Sequence, residues 1–200
     1  MTQPRLYYMP RTRSSRVLWT LEEIGAPYEL TEIPGAQRRS PEHLARHPLG
    51  RVPALELADG TTIFESAAIC LQLADLNPDA GLIGPIGSAE RARVYQWVLF
   101  SMSELEASLY RSIRSDAGAE SPELDRFTEA ATALEAALGE HDWLLDDRFT
   151  VADVMCVSVL ASGHTRGLLG DWPRLQAYVE RGQARPAYVR AAAIWDRPRT

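Results

Sequence analysis

A carboxylate and a hydroxyl stand side by side at Glu65-Ser66, where a strand-like run ends and apolar residues at helical spacing begin. At a helix start such a pair either caps the helix or receives a ligand carrying both an ammonium and a carboxylate, because a helix N-terminus offers free N–H groups and the positive end of its dipole. Upstream, Val52-Pro53 leads into another short apolar run, behind Leu49-Gly50-Arg51. A proline at a strand entrance is either an edge device or a cis bond that presents the backbone of the preceding residue to a ligand. Other polar groups are more readily structural. Thr150 and Asp153, with Phe149 ahead of them, fit a capping box with its apolar staple. His43, His47, His141 and His164 share no metal-ligand spacing, read as surface or core residues, and predict no metal site. Cys70 and Cys156 lie far apart inside apolar helical patterns, so a disulfide framework or CxxC pair is excluded and both read as buried.

The elements that must position these residues alternate in the first half. Arg5 to Tyr8 reads as a strand, and Pro10 to Ser15 supplies turn and capping residues for a helix over Arg16 to Ile24 that ends at Gly25. Pro27 to Ile33 reads as a second strand and Pro41 to Arg46 as a short helix. Ala54 to Leu57 and Thr62 to Phe64 flank Asp59-Gly60, a strong hairpin signal, and Ser66 to Leu76 restores helical periodicity. The Pro- and Gly-broken segment that follows reads as a linker over 79–88, separating an α/β domain at 1–78 from an all-helical one at 89–200. In the latter, helices are predicted at Ala89 to Arg114, Pro122 to Leu138, Val151 to Ser162, Trp172 to Arg181 and Ala187 to Ile194.

A chain of 200 residues, 46% hydrophobic and 24% charged, is globular, and its net charge of −6 gives no basic face for nucleic acid or an anionic membrane. Small molecules are the better partners. No apolar run has the length of a signal peptide or a membrane span, which predicts a cytoplasmic protein.

Taken together, the motifs resemble the glutathione transferase family. SSRVLWTLEEIGAPYEL is similar to the first helix and second strand of bacterial members, LGRVPAL to the segment with the cis-proline, and FESAAIC to the motif that grips the γ-glutamyl end of glutathione. FTVADVM and RPAY extend the likeness across nearly the whole chain. The resemblance implies a thioredoxin-like first domain, a helical-bundle second domain and a homodimer with a detoxifying role. It implies glutathione as co-substrate, with the main chain of Val52 pairing with its cysteinyl backbone, Pro53 cis, and Glu65 and Ser66 holding the γ-glutamyl group. Arg51 or Arg38 would meet the glycine carboxylate, since a guanidinium matches a carboxylate fork.

The thiol-activating group stays open between Tyr8, at the end of the first strand, and the Thr12-Arg13-Ser14 cluster, where hydroxyl and backbone donors converge on a helix start. The cluster is preferred, although its threonine departs from the serine of serine-type members. No cysteine lies in this loop, so exchange through a protein thiol is not expected. The expected activity is attack of glutathione on small hydrophobic electrophiles, or peroxide reduction, with the electrophile lodged between the Tyr8 to Ser14 loop and the helix near Leu105 to Tyr110. The alternatives are a glutathione- or ligand-binding protein without turnover, and a scaffold module.

Overall fold

A computed structural model of the protein describes residues 3–114 and 122–196. The chain forms two compact units, one running through Ala80 and taking in the chain from Arg185 onward, the other Gly81–Ala184.

The first unit is built on a mixed four-stranded sheet in the order β2-β1-β3-β4. Strand β1 (Arg5–Tyr8) pairs in parallel with β2 (Glu29–Glu32) and antiparallel with β3 (Ala54–Glu56), which pairs antiparallel with β4 (Thr62–Phe64). The second strand is shorter than its alternation predicts, because only the residues opposite Arg5 to Tyr8 have a partner to bond. The Asp59-Gly60 hairpin is present. Gly60 takes a φ of +86°, and the Asp59 carboxylate accepts the Thr61 N–H at 2.8 Å.

Helix α1 (Ser14–Ile24) starts a little before the apolar periodicity does and ends where Gly25 turns left-handed, its N–H returned to Leu21 O. Helix α3 (Ser66–Leu76) packs beside it, and Leu6, Val17, Leu18, Leu55, Ile69 and Leu73 form a dry core between the two helices and the sheet. Because side chains alternate along a strand, Tyr7 faces the other way from Leu6. There Tyr7 clusters with Ile33 and Ala54, with Val52 packed against them. The short helix α2 (Pro41–Arg46), capped by Ser40 Oγ accepting the His43 N–H, places Arg46 over the Tyr7 ring at 4.1 Å.

In the second unit the stretch expected as one long helix is helical throughout but not regular. Helix α4 (Ala89–Phe100) passes into a π-turn over Ser101–Glu106 and then into α5 (Ala107–Arg114). The wider π hydrogen-bond step leaves no mark in apolar spacing over so few residues. Helices α6 (Pro122–Leu138), α7 (Val151–His164) and α8 (Pro173–Gln183) complete the unit. Helix α7 is its centre, buried from Val151 through Val157 on every side. Its start is the predicted capping box, and Phe149 meets Trp143 edge-on at 4.8 Å.

The last helix, α9 (Pro186–Trp195), follows the helical domain in sequence but belongs to the first unit. It packs on α1 through Trp19 and Tyr188, whose rings meet edge-on at 5.0 Å, and Arg185 reaches the Glu23 carboxylate with bonds of 2.6 and 2.8 Å. The whole arrangement is a thioredoxin-like α/β unit combined with an all-helical one.

Candidate active site

The loop before β3 is fixed at nearly every peptide. Gly50 lies in the left-handed region at φ +58°, and a Cβ there would overlap the carbonyl oxygen of Arg38, so only glycine fits. Arg38 Nε donates to Gly50 O at 3.0 Å, Gly50 N–H donates to His47 O at 2.8 Å, and His47 Nδ1 accepts the Leu49 N–H at 3.3 Å. The Arg51 carbonyl accepts from His43 Nε2 at 2.9 Å. The Val52-Pro53 bond is cis. Val52 is half-buried, and among the described residues neither its N–H nor its C=O joins the backbone hydrogen bonds formed outside helices and strands. A main chain whose polar groups join none of those bonds, at the entrance to a strand, is where a second peptide-like chain can add.

The start of α3 lies one strand away. Glu65 is exposed and holds a φ of +73°, a conformation that a side-chain-bearing residue adopts only when its surroundings hold it there. Its side chain does not cap the helix. Ser66 is buried, and its Oγ has no partner among the described residues. A buried hydroxyl at a helix N-terminus with nothing to bond is an open position for a carboxylate. His47 packs beside this corner, its ring 4.8 Å from that of Phe64. Burial holds its imidazole below the usual range; Glu65 opposes that shift, while His43 and Arg51 add to it.

The loop between β1 and α1 is tied to itself. Thr12 Oγ1 donates to Met9 O at 2.7 Å, lies 3.0 Å from Ser14 Oγ, and accepts the Ser14 N–H at 3.2 Å. Ser14 is buried, and its hydroxyl accepts the Met9 N–H at 3.4 Å. Thr12 and Arg13 are half-buried, Arg13 being the residue before the first helical turn. Tyr8, also half-buried, ends β1 on the face opposite Tyr7 and lies near enough to Tyr28 to act on it electrostatically. Tyr7, which sequence reasoning passed over, donates its hydroxyl to Glu56 at 2.7 Å.

The first unit thus contains an open strand entrance at Val52 and an unfilled helix start at Ser66. Residues 12–76 match the model of the glutathione S-transferase N-terminal domain, and residues 89–181 that of the C-terminal domain. Glutathione S-transferase GstA of Escherichia coli O157:H7 is 30% identical over 188 residues, covering 91% of this chain and 94% of that protein. The chain belongs to the glutathione S-transferase family. By that membership it is an enzyme of the glutathione transferase kind. A maleylacetoacetate isomerase of Pseudomonas aeruginosa is 28% identical, with 94% of each chain covered. The structure of a sphingomonad glutathione S-transferase complexed with glutathione superposes with a TM-score of 0.82 at 29% identity, covering 96% of this chain and 98% of that one.

Sequence reasoning missed the parts played by His43 and His47. Both are buried, and both hold the loop that carries Val52. Their spacing of four residues, His43 in α2 and His47 just past its end and directly ahead of Pro48-Leu49-Gly50, was the available signal. Cys70 and Cys156 are buried free thiols, and burial pushes the Cys70 thiol up to about 11, too high for a nucleophile at neutral pH. Among the described residues no cluster of three or more His, Cys, Asp or Glu side chains could hold a metal ion, and no helix is long and apolar enough to cross a membrane.

Proposed function

We propose that this enzyme binds glutathione along the Val52 main chain and at Ser66, and activates its thiol for attack on small hydrophobic electrophiles. The observation that carries this is the buried Ser66 hydroxyl, without a partner among the described residues, beside the left-handed Glu65 and the Val52 backbone that joins none of the described backbone bonds outside helices and strands. In this reading Val52 N–H and C=O pair with the cysteinyl residue, and Ser66 takes the γ-glutamyl carboxylate with its hydroxyl and N–H. Glu65 takes the ammonium. Arg51, whose side chain is exposed, suits the glycine carboxylate better than Arg38, whose Nε is already bonded to Gly50.

A free thiol near pKa 8.5 is mostly protonated at neutral pH, and lowering that value to about 6.5 needs only about 2.7 kcal/mol. One hydrogen bond and a helix N-terminus suffice. Within the loop, the half-buried Thr12 is better exposed to a ligand than the buried Ser14, so we assign it the hydrogen bond to sulfur, its one hydroxyl proton turning from Met9 O to the thiolate, with Arg13 adding charge. The sulfur electron pair then forms the S–C bond as the bond to a leaving group breaks, or as an epoxide or enal opens and takes up a proton. We place the enzyme in the cytoplasm as a homodimer, a state to which the exposed Leu49, Phe64 and Leu76 of the first unit are suited.

A pH titration of the ultraviolet thiolate absorbance of bound glutathione tests the reading. The bound thiol should ionise well below the free one, and Thr12→Ala should raise its pKa. Binding without a shift would leave a ligand-binding protein, and a rise only in Tyr8→Phe would move the activating role to Tyr8.

A further inference from the structure

We propose that His43 is a positioning residue for glutathione binding, holding the Arg51 carbonyl so that the adjoining Val52 backbone is ready to pair. The inference rests on the reading of Val52 above. His43 sits in the middle of α2, is 1% exposed, and has its own N–H bound by the Ser40 cap. A carbonyl can only accept, so the 2.9 Å contact requires the proton on Nε2. Nδ1 is buried without a partner among the described residues, so the ring directs its one side-chain hydrogen bond to Arg51.

The surrounding contacts make that bond the last fixed point before the open backbone. Arg38 and His47 hold Gly50, and His47 holds Leu49, but among the described residues no backbone N–H outside the helices and strands bonds the Arg51 carbonyl. Beyond it the next ladder pair is Ala54 with Tyr7 and Phe64. Without the imidazole, no hydrogen bond among the described residues fixes the plane of the Arg51-Val52 peptide, and a ligand that pairs with Val52 must first order it. The effect falls on binding, not on the chemistry at sulfur, which the α1 loop performs.

The test compares His43→Phe, which keeps a ring but no donor, with His43→Gln, whose amide N–H reaches about as far as Nε2. H43F should raise the KM for glutathione about tenfold, the loss of a hydrogen bond worth about 1.4 kcal/mol, with kcat at saturating glutathione within about twofold. H43Q should recover most of that affinity. A KM for H43F within about twofold of the unchanged protein, or an H43Q as weak as H43F at equal thermal stability, overturns the inference. If H43F does not fold, nitrogen-15 spectra of the unchanged protein decide: a His43 ring proton on Nε2 bonded to Arg51 supports the role, and its absence overturns it. Ser66→Ala distinguishes the two levels. Weakened binding there with none in H43F removes only the role of His43, whereas failure of the unchanged protein to bind immobilised glutathione removes the site and this inference together.

Discussion

Two helix starts in this chain look alike as sequence and differ in kind as structure. At α7, Thr150 and Asp153 sit at the end of a loop; at α3, Glu65 and Ser66 sit at the end of a strand. The α7 start is complete. Asp153 is fully buried and accepts from Leu144 N–H at 3.0 Å, Thr150 N–H at 2.7 Å, Thr150 Oγ1 at 3.1 Å and Tyr178 OH at 2.8 Å, while Thr150 Oγ1 accepts the Ala152 N–H at 3.2 Å. Burial raises the carboxyl pKa, and all four of these bonds pull it back. The α3 start is incomplete. Its carboxylate is exposed on a left-handed residue, and its buried hydroxyl has no partner among the described residues. A satisfied polar cluster stabilises the fold, whereas an unsatisfied one lowers stability and is retained where a ligand completes it.

The largest effect that would break this contrast is at Asp153. Asp153→Ala strips partners from buried N–H and O–H groups and should lower unfolding free energy by about 3 kcal/mol or more in a denaturant titration. A loss below about 1 kcal/mol would mean that the α7 cluster is not what holds that unit. Ser66→Ala should do the reverse: thermal stability stays within about 0.5 kcal/mol, while glutathione affinity measured by calorimetry falls by about 1–3 kcal/mol. Unchanged affinity would make the two helix starts equivalent and sink the assignment.

The smallest effect sharpens the environment of the α3 corner. With the folded pKa of His47 depressed, the unfolded chain binds its proton first as pH falls. The stability contributed by the neutral ring is therefore present above about 6.5 and is lost as pH falls from there through the folded value. His47→Asn, which keeps an acceptor for Leu49 N–H but cannot titrate, should flatten that part of the pH dependence of the thermal midpoint. An unchanged slope would show that the ring is not desolvated.

Much of this was legible in the residues. The boundaries of β1, α2, β4, α3 and α6 follow from periodicity, the Asp59-Gly60 turn and the proline and serine starts, because these are local preferences that a few neighbouring residues satisfy. So does the capping box at Thr150, whose partners are three residues apart. The π-turn at Ser101–Glu106 was not legible, since it changes hydrogen bonding without changing composition. Nor was the docking of α9 on α1, which depends on Arg185 meeting Glu23 and Tyr188 meeting Trp19 across most of the chain.

Residue type and spacing were enough to mark Val52-Pro53 as a strand entrance and Glu65-Ser66 as a helix start, because both are local patterns. Which of those groups are left open depends on how the chain packs around them. Whether the Ser66 hydroxyl is satisfied, whether Ser14 is buried, and whether His43 reaches Arg51 all turn on contacts between segments distant in the chain. An unmet hydrogen bond is a property of the packed neighbourhood, and no local pattern of residues encodes it.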